Sequence, residues 1–216
     1  MSIHKTYAVF GLGRYGSAVA RELAESGAEV IAVDIEEKRV EELAAQLPIC
    51  KCADVTDPEV LSQLGIKNVD AAIVAMAEAL EASVMTTMLL KELGVEQVIV
   101  KASNPMHRAI FEKVGADKVI EPEKESGIRL AKSLLSAGFT DVADLSDNIS
   151  IVEMDVRNEW VGKTLSELEL RRKYSINVVA LCDGSNVEIA TDPHKRLETD
   201  MKLIVIADKK NINRFK

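Results

Sequence analysis

Six residues near the start of the chain, Gly11–Gly16 (GLGRYG), constrain its fold more than any other segment. They follow a short apolar run, Tyr7–Phe10, and open a helical pattern. In such a strand–turn–helix, Gly11 permits a tight turn, Gly13 lets the backbone approach a phosphate, and Gly16 lets the helix pack on the strand. The helix N-terminus offers free N–H groups and a partial positive charge to an anion. The segment therefore predicts a parallel α/β unit that binds a nucleotide.

Three charged residues near this turn are candidate contacts for a nucleotide. Asp34 ends the second apolar run, 18 residues after Gly16, near the spacing expected for a carboxylate that accepts hydrogen bonds from ribose hydroxyls. Its charge disfavours a 2′-phosphate, so NAD(H) or another adenine nucleotide is favoured over NADP. Arg14 lies at the anion-binding end of the helix and is either a phosphate contact or a solvated side chain. Asp54, after the third run, is either an adenine-side contact or a helix cap.

The first 120 residues or so alternate β-rich apolar runs with helical patterns. The runs are nearly continuous rather than alternating in polarity, which is typical of parallel strands covered on both faces. Repeated β-α-β units with right-handed crossovers predict a doubly wound parallel sheet of the Rossmann type. The predicted strands are Tyr7–Phe10, Val30–Asp34, Ile49–Cys52, Ala71–Ala75, Gln97–Lys101 and Lys118–Ile120. The predicted helices are Arg14–Ser26, Glu36–Gln46, Pro58–Leu64, Ala79–Leu93 and Met106–Val114.

The pattern changes after residue 122. Glu123–Ala137 reads as one amphipathic helix, and the polar run Thr140–Asn148 is interpreted as a linker. From Ile149 onward, short strand patterns surround a short helix, Leu165–Arg171, which predicts a small α+β unit. We therefore divide the chain into a nucleotide-binding domain, residues 1–140, which includes the long helix, and a smaller α+β domain, residues 141–216.

Composition excludes several classes of protein. With 35 acidic against 27 basic residues the net charge is −8, which argues against non-specific binding to nucleic acid. The longest stretches without a charge are nine residues, as in Ala82–Leu90, well below the roughly 20 apolar residues of a membrane-spanning helix. The N-terminus has no hydrophobic signal-peptide segment. Three cysteines do not make a disulfide framework, so we expect reduced cysteines and a cytoplasmic protein.

The sequence lacks the catalytic patterns of a dehydrogenase. No tyrosine is followed four residues later by a lysine, as a short-chain dehydrogenase requires, and the three histidines are scattered. The second domain is also small for a substrate domain. We therefore expect that the chain is not an enzyme and that the nucleotide acts as a ligand and signal. Two alternatives stay open: a small NAD-dependent oxidoreductase, and a stand-alone sensor of the NADH/NAD ratio.

Several further segments accompany the glycine turn and Asp34. In the first domain these are Val100–Ala102 and Gly115–Glu123, and in the second they are Val161–Leu165, Leu168, Arg171, Tyr174, Asn177–Ala180, Asp200 and Leu203–Ile206. Together they resemble the RCK (KTN) domain, which regulates potassium channels and transporters, followed by its C-terminal TrkA-C (RCK-C) subdomain. The resemblance covers essentially the whole chain and is strongest to the cytosolic gating subunits of Ktr and Trk potassium transporters.

The resemblance implies a nucleotide site. Members bind ATP, ADP or NAD(H) at the glycine turn, with the acid matching Asp34 on the ribose and the residue matching Arg14 near the γ-phosphate. The residue matching Glu123 helps to hold Mg²⁺ or another cation beside the phosphates. The predicted nucleotide-binding residues are Gly11, Gly13, Arg14, Tyr15, Gly16, Asp34, Asp54, Lys101 and Glu123, with Glu123 also as the metal ligand and none as a catalyst.

The resemblance also implies a second ligand and partners. Some members bind cyclic di-AMP between paired C-terminal domains, and the matching positions are Leu165, Arg171, Asn177, Val178 and Pro193. Members form dimers that build octameric rings beneath a potassium-translocating membrane subunit. The chain would then be cytoplasmic and held at the inner face of the plasma membrane by that subunit. ATP and ADP would favour different ring geometries and so gate transport.

Overall fold

The computed structural model of the chain describes residues 5–76, 78–135, 139–146, 148–184, 186–189 and 192–212. Ala137 at the end of the predicted long helix and Asp147 in the predicted linker lie outside these ranges. The chain divides into two compact units, Met1–Pro122 and Glu123–Lys216. The sequence-based boundary at residue 140 instead places the long helix in the nucleotide-binding domain. This division stays a prediction.

The first unit is built on a six-stranded sheet in which every pair of neighbouring strands is parallel. Its strands are β1 (Thr6–Phe10), β2 (Glu29–Asp34), β3 (Ile49–Cys52), β4 (Ala71–Val74), β5 (Gln97–Lys101) and β6 (Lys118–Ile120). The spatial order is β3-β2-β1-β4-β5-β6. The order reverses between β1 and β4, which confirms the predicted doubly wound topology and opens a crevice at the carboxyl ends of the strands.

Five helices cover this sheet, each within two residues of its predicted bounds. They are α1 (Arg14–Glu25), α2 (Glu37–Ala44), α3 (Pro58–Gln63), α4 (Leu80–Glu92) and α5 (Pro105–Lys113). Two of them begin with a proline that follows a capping side chain. Proline suits the first turn because it lacks the N–H that this turn leaves unpaired, and the cap accepts from a later amide. Asp57 accepts a hydrogen bond from the Glu59 amide at 2.8 Å in α3, and Asn104 caps α5 in the same way.

Alternate residues of the strands supply two separate cores. Phe10 and Val33 are fully buried on one face of the sheet, while Val9 and Ala32 are fully buried on the other. Since neither face is open to water, the strands need apolar residues at every position, which is why the sequence shows continuous rather than alternating runs.

An ion pair connects three elements at the amino-terminal ends of the parallel strands, away from the crevice. Asp117, just before β6, accepts hydrogen bonds from the Lys91 ammonium at 2.8 Å and from the Val98 amide at 2.7 Å. Burial by itself would raise the pKa of Asp117, but these two hydrogen bonds outweigh it, so the pKa lies below the ordinary value. The ionised carboxylate therefore helps to hold β6 beside β5.

Replacing Asp117 by alanine is expected to flatten the acid limb of the stability curve. Because the folded-state pKa is depressed, the carboxylate stabilises the fold above its unfolded pKa of about 3.9, and this stability is lost as pH falls through the folded value. Urea unfolding followed by circular dichroism should show a loss of about 1 kcal/mol at pH 7. The difference from wild type should shrink below about pH 4. The exposed Glu96→Ala is the control, and parallel pH curves for wild type and Asp117→Ala would contradict the assignment.

The second unit contains a five-stranded antiparallel sheet in the order β10-β9-β11-β8-β7. Its elements follow α6 (Pro122–Leu135) and are β7 (Phe139–Asp144), β8 (Ile149–Asp155), α7 (Leu165–Leu168), α8 (Leu170–Tyr174), β9 (Asn177–Asp183), β10 (Asn186–Ile189), β11 (Met201–Asp208) and α9 (Lys209–Ile212). The core includes Trp160, Met154 and Leu203. Among the helices that the structure describes, none has the length and apolar character needed to cross a bilayer.

Two features of this unit differ from the sequence-based prediction. The start of the predicted linker instead belongs to strand β7, which pairs with β8. The polar residues of β7 are not typical of a strand, and long-range pairing stabilises it. The single predicted helix Leu165–Arg171 is two short helices, because Glu169 between them adopts a left-handed conformation with φ of 49°.

Candidate nucleotide-binding site

A cavity of about 480 Å³ lies in the crevice at the carboxyl ends of the parallel strands. The segments that follow β1, β2, β3 and β4 form its wall, together with the last residue of β5. Five of the predicted site residues line it: Gly11, Gly13, Asp34, Asp54 and Lys101. The structure thus brings together residues that are up to 90 positions apart in the sequence, at the place where ligands bind in open α/β sheets.

The three glycines of the turn have different structural roles. Gly11 has a φ of 89° and its amide donates a hydrogen bond to the Val33 carbonyl at 2.9 Å, which fixes the turn against β2. A Cβ atom on Gly16 would overlap the Gly11 carbonyl oxygen, so α1 can approach the turn only without a side chain there. A Cβ on Gly13 would meet no protein atom within 4 Å and would extend into open space beside the cavity.

The N-terminus of α1 supplies an anion-binding end to the cavity. Gly13 is the N-cap residue and provides no side chain to satisfy the first amides of the helix. The helix has 12 residues, and its first turn contains no acidic side chain that would compete for the partial positive charge. These features suit the phosphates of a nucleotide.

Two cations lie near this end, and only one of them lines the cavity. Lys101, at the end of β5, lines the cavity, and its ammonium lies 5.8 Å from the centre of the Tyr15 ring. Arg14 is exposed on the first turn of α1, and neither it nor Tyr15 nor Gly16 is part of the cavity wall. Arg14 would therefore contact a ligand only where that ligand extends out of the cavity.

Asp34 is a buried carboxylate of the cavity wall. Its side chain is only 3% exposed. The carboxylate accepts hydrogen bonds from the Leu12 amide at 2.5 Å and from the Glu36 amide at 2.9 Å. A carboxylate has about four acceptor positions, so Asp34 stabilises the glycine turn and keeps capacity for a ribose hydroxyl.

Arg39 is a cavity residue that the sequence reasoning missed. Its guanidinium lies 3.4 Å from the Asp34 carboxylate and 2.9 Å from that of Glu36, and it lines the cavity. The available signal was its position in the helix that follows the ribose carboxylate, where an arginine can also meet a 2′-phosphate. Here the guanidinium is paired with two carboxylates, so this end of the cavity stays net acidic.

Asp54 combines the two roles that the sequence left open. It lines the cavity, and it also accepts hydrogen bonds from the Thr56 amide at 2.9 Å and the Thr56 hydroxyl at 2.7 Å. These bonds, with the backbone amide as the larger cause, hold the pKa of Asp54 below its usual value. The adjacent helix is capped by Asp57 rather than by Asp54.

Glu123 belongs to the second unit, where it stands in the first turn of α6. Within the described ranges, no three side chains of histidine, cysteine, aspartate or glutamate group together as a metal site would require. The role of Glu123 as a cation ligand stays a prediction.

The second unit contains a cavity of its own, of about 470 Å³. All five positions predicted for a second ligand line it: Leu165, Arg171, Asn177, Val178 and Pro193. The Ser166 amide donates to the Pro193 carbonyl at 3.0 Å, which joins the segment before β11 to the start of α7. The cavity combines apolar walls with the Arg171 guanidinium, a composition suited to a ligand with flat bases and phosphates.

The sequence matches two known domain models in the order in which the two units occur. Residues 7–122 match the TrkA-N domain, and residues 149–216 match the TrkA-C domain. The fold is that of solved RCK domains: the chain aligns with the GsuK channel at a TM-score of 0.69 and 16% identity, and with the GsuK RCK domain at 0.53 and 21%. It covers 39% of the channel chain and 46% of the RCK-domain chain, so it corresponds to less than half of either.

Full-length relatives agree with this assignment. The chain is 39% identical over 211 residues to Ktr system potassium uptake protein C of Bacillus subtilis, covering 98% of this chain and 96% of the relative. It is 37% identical over 212 residues to Ktr system potassium uptake protein A of the same organism, with the same coverage. The chain therefore belongs to the family that joins a TrkA-N to a TrkA-C domain and includes the Ktr system potassium uptake proteins A and C.

Proposed function

We propose that this chain is a cytoplasmic nucleotide-binding gating subunit that regulates potassium transport by a separate membrane subunit. The single observation that carries the proposal is the cavity built by the glycine turn and Asp34, in a chain whose near full-length relatives are named potassium uptake proteins. The membrane partner would hold the subunit at the inner face of the plasma membrane.

The proposed ligand is ATP or ADP, with NAD(H) as the alternative. The ribose would bind at Asp34 and the phosphates at the N-terminus of α1, beside Gly13 and Lys101. A third phosphate would extend past the cavity wall toward Arg14, which is exposed there. Glu123 would hold Mg²⁺ or another cation against the phosphates, since a carboxylate beside phosphate oxygens requires a cation between them.

A regulatory rather than an enzymatic role suits the side chains of the cavity. No histidine, cysteine or tyrosine is among the described residues of its wall. Two of the carboxylates that could exchange protons there, Asp34 and Asp54, already accept hydrogen bonds from the protein itself. The nucleotide would act by binding. A ligand shifts a conformational equilibrium only by its differential affinity for the two states, and the γ-phosphate is the group that distinguishes ATP from ADP.

The subunit would act as a ring assembled from dimers, with cyclic di-AMP as a second ligand. The second cavity, lined by Arg171 and Asn177 among apolar residues, would bind this dinucleotide where two C-terminal domains meet. Two ligand sites in one chain would let the transporter respond to both energy state and a signalling nucleotide.

Calorimetric titration tests the ligands of both cavities. The full chain is titrated with ATP, ADP, NADH and cyclic di-AMP, each with and without Mg²⁺. Tight binding of ATP and ADP, together with co-purification of a potassium-translocating membrane subunit, would support the proposal. Turnover of NADH with a carbonyl compound would instead favour an oxidoreductase, and binding of NADH alone without a membrane partner would favour a redox sensor.

Replacing Arg14 by alanine is expected to abolish the difference between ATP and ADP in transport. The exposed guanidinium can reach only the part of a ligand that leaves the cavity, so ADP binding should stay measurable. The measurement is potassium flux into vesicles that contain the membrane subunit and the added ring. Lys67→Ala, an exposed cation elsewhere in the first unit, is the control. An unchanged ATP-to-ADP ratio in Arg14→Ala would refute this role.

A further inference from the structure

The buried face of α4 contains three hydroxyl groups. Ser83, Thr86 and Thr87 are each at most 1% exposed, so each hydroxyl needs a partner inside the protein. The Thr87 hydroxyl donates to the Ser83 carbonyl at 2.6 Å, a bond within its own helix. The Ser83 hydroxyl instead leaves the helix and donates to the Met76 carbonyl at 2.8 Å, seven residues earlier. The Thr87 bond is therefore local to the helix, whereas the Ser83 bond connects the helix to the segment before it.

Met76 belongs to the segment between β4 and α4, which forms one wall of the nucleotide cavity. Ala75, Met76, Glu78 and Ala79 line the cavity from this side. The Met76 side chain lies against the glycine turn so closely that a Cβ on Gly11 would come within 2.6 Å of the Met76 Cγ. The position of Met76 therefore sets the space that is left between this wall and the turn.

The helix end itself provides little to hold this wall in place. Ala79, the N-cap of α4, has no oxygen in its side chain and makes no side-chain capping bond. The Met76 carbonyl accepts the Ala79 amide at 2.9 Å, and the Ser83 hydroxyl is its second donor. A capping side chain would accept from a first-turn amide, whereas the Ser83 hydroxyl donates to a carbonyl. Ser83 thus ties the segment before the helix directly to the buried face of α4.

We propose that Ser83 is a positioning residue for the nucleotide site: its hydroxyl holds the Met76 carbonyl and so fixes the cavity wall that faces the glycine turn. This inference rests on the proposed function, because it assumes that the cavity binds a nucleotide. Ser83 itself does not line the cavity. It acts through Met76, whose place determines how closely a nucleotide fits against the turn.

The test compares two variants that each lose one buried hydroxyl of α4. Ser83→Ala removes the hydroxyl that bonds to the Met76 carbonyl, and Thr87→Val removes the one that bonds within the helix while keeping the shape of the side chain. Both should lower the urea midpoint of unfolding by a similar small amount. The dissociation constant for ADP should rise about five- to tenfold in Ser83→Ala and stay within about twofold in Thr87→Val. Equal affinities in the two variants would overturn the inference.

A readout without nucleotide keeps this inference separate from the proposed function. In protein labelled with ¹³C-methyl methionine, the Met76 resonance is expected to shift or broaden in Ser83→Ala and to stay in place in Thr87→Val. If wild type binds no nucleotide, the proposed function fails, but a changed Met76 signal still supports the role of Ser83 in the wall. An unchanged Met76 signal in Ser83→Ala would overturn that role whether or not a nucleotide binds.

Discussion

Replacing Gly13 by alanine is expected to weaken binding of ATP and ADP on the order of 100-fold, about 2.7 kcal/mol, with little change in folding stability. The backbone there is extended, with φ of −66°, so alanine fits without strain, and its methyl group would touch no protein atom within 4 Å. That methyl group would instead occupy the space through which a phosphate approaches the α1 amides.

The measurement pairs calorimetric affinity for ADP with urea unfolding of the same protein. The free energy of unfolding should fall by no more than about 1 kcal/mol, because alanine is a somewhat poorer N-cap than glycine. Gly127→Ala is the matched control: this glycine also has open space around it but belongs to the second unit. Unchanged ADP affinity in Gly13→Ala would show that phosphates do not approach this turn.

Replacing Gly16 by alanine is expected to destabilise the first unit by about 3 kcal/mol. The added Cβ would overlap the Gly11 carbonyl oxygen and would also lie 3.2 Å from the Ala75 Cβ, so α1 must move away from the sheet. Alanine gains about 1 kcal/mol in helix propensity over glycine, and this offsets only part of the loss.

Because the sequence has a single tryptophan, the loss of folding stability can be assigned to one of the two units. Trp160 is buried in the core of the second unit, so its fluorescence follows that unit, whereas far-ultraviolet circular dichroism follows the whole chain. Gly16→Ala should move the circular-dichroism transition to lower urea and leave the native-state Trp160 emission unchanged. A circular-dichroism midpoint equal to that of wild type would contradict the close packing at Gly16.

The sequence predicts the first unit well because its signals are local. Continuous apolar runs gave the positions of β1 to β6 to within one residue, and Asp57-Pro58 marked the start of α3 correctly. Strand β7 was missed because its polar residues resemble a linker, and only its pairing with β8 identifies it as a strand. The break at Glu169 was missed because a left-handed glutamate has no sequence signal comparable to that of glycine.

The site was predictable where a residue belongs to a spaced fingerprint and not where it is brought in by the fold. Gly11, Gly13 and Asp34 follow from their spacing, and all three line the cavity. Arg39 and Met76 also line it, but they come from a helix and a connecting segment whose distance from the turn is set only when the sheet assembles. Cavity walls of this kind depend on tertiary structure, which a single sequence read for local patterns does not give.

The bonds of Asp34 bear on how quickly a nucleotide is captured. Its carboxylate holds the Leu12 and Glu36 amides through contacts that the protein makes with itself, so the turn needs no ligand to take its shape. With little rearrangement required, association should be similarly fast for every nucleotide that fits. Nucleotides of different affinity would then differ mainly in how long each remains bound.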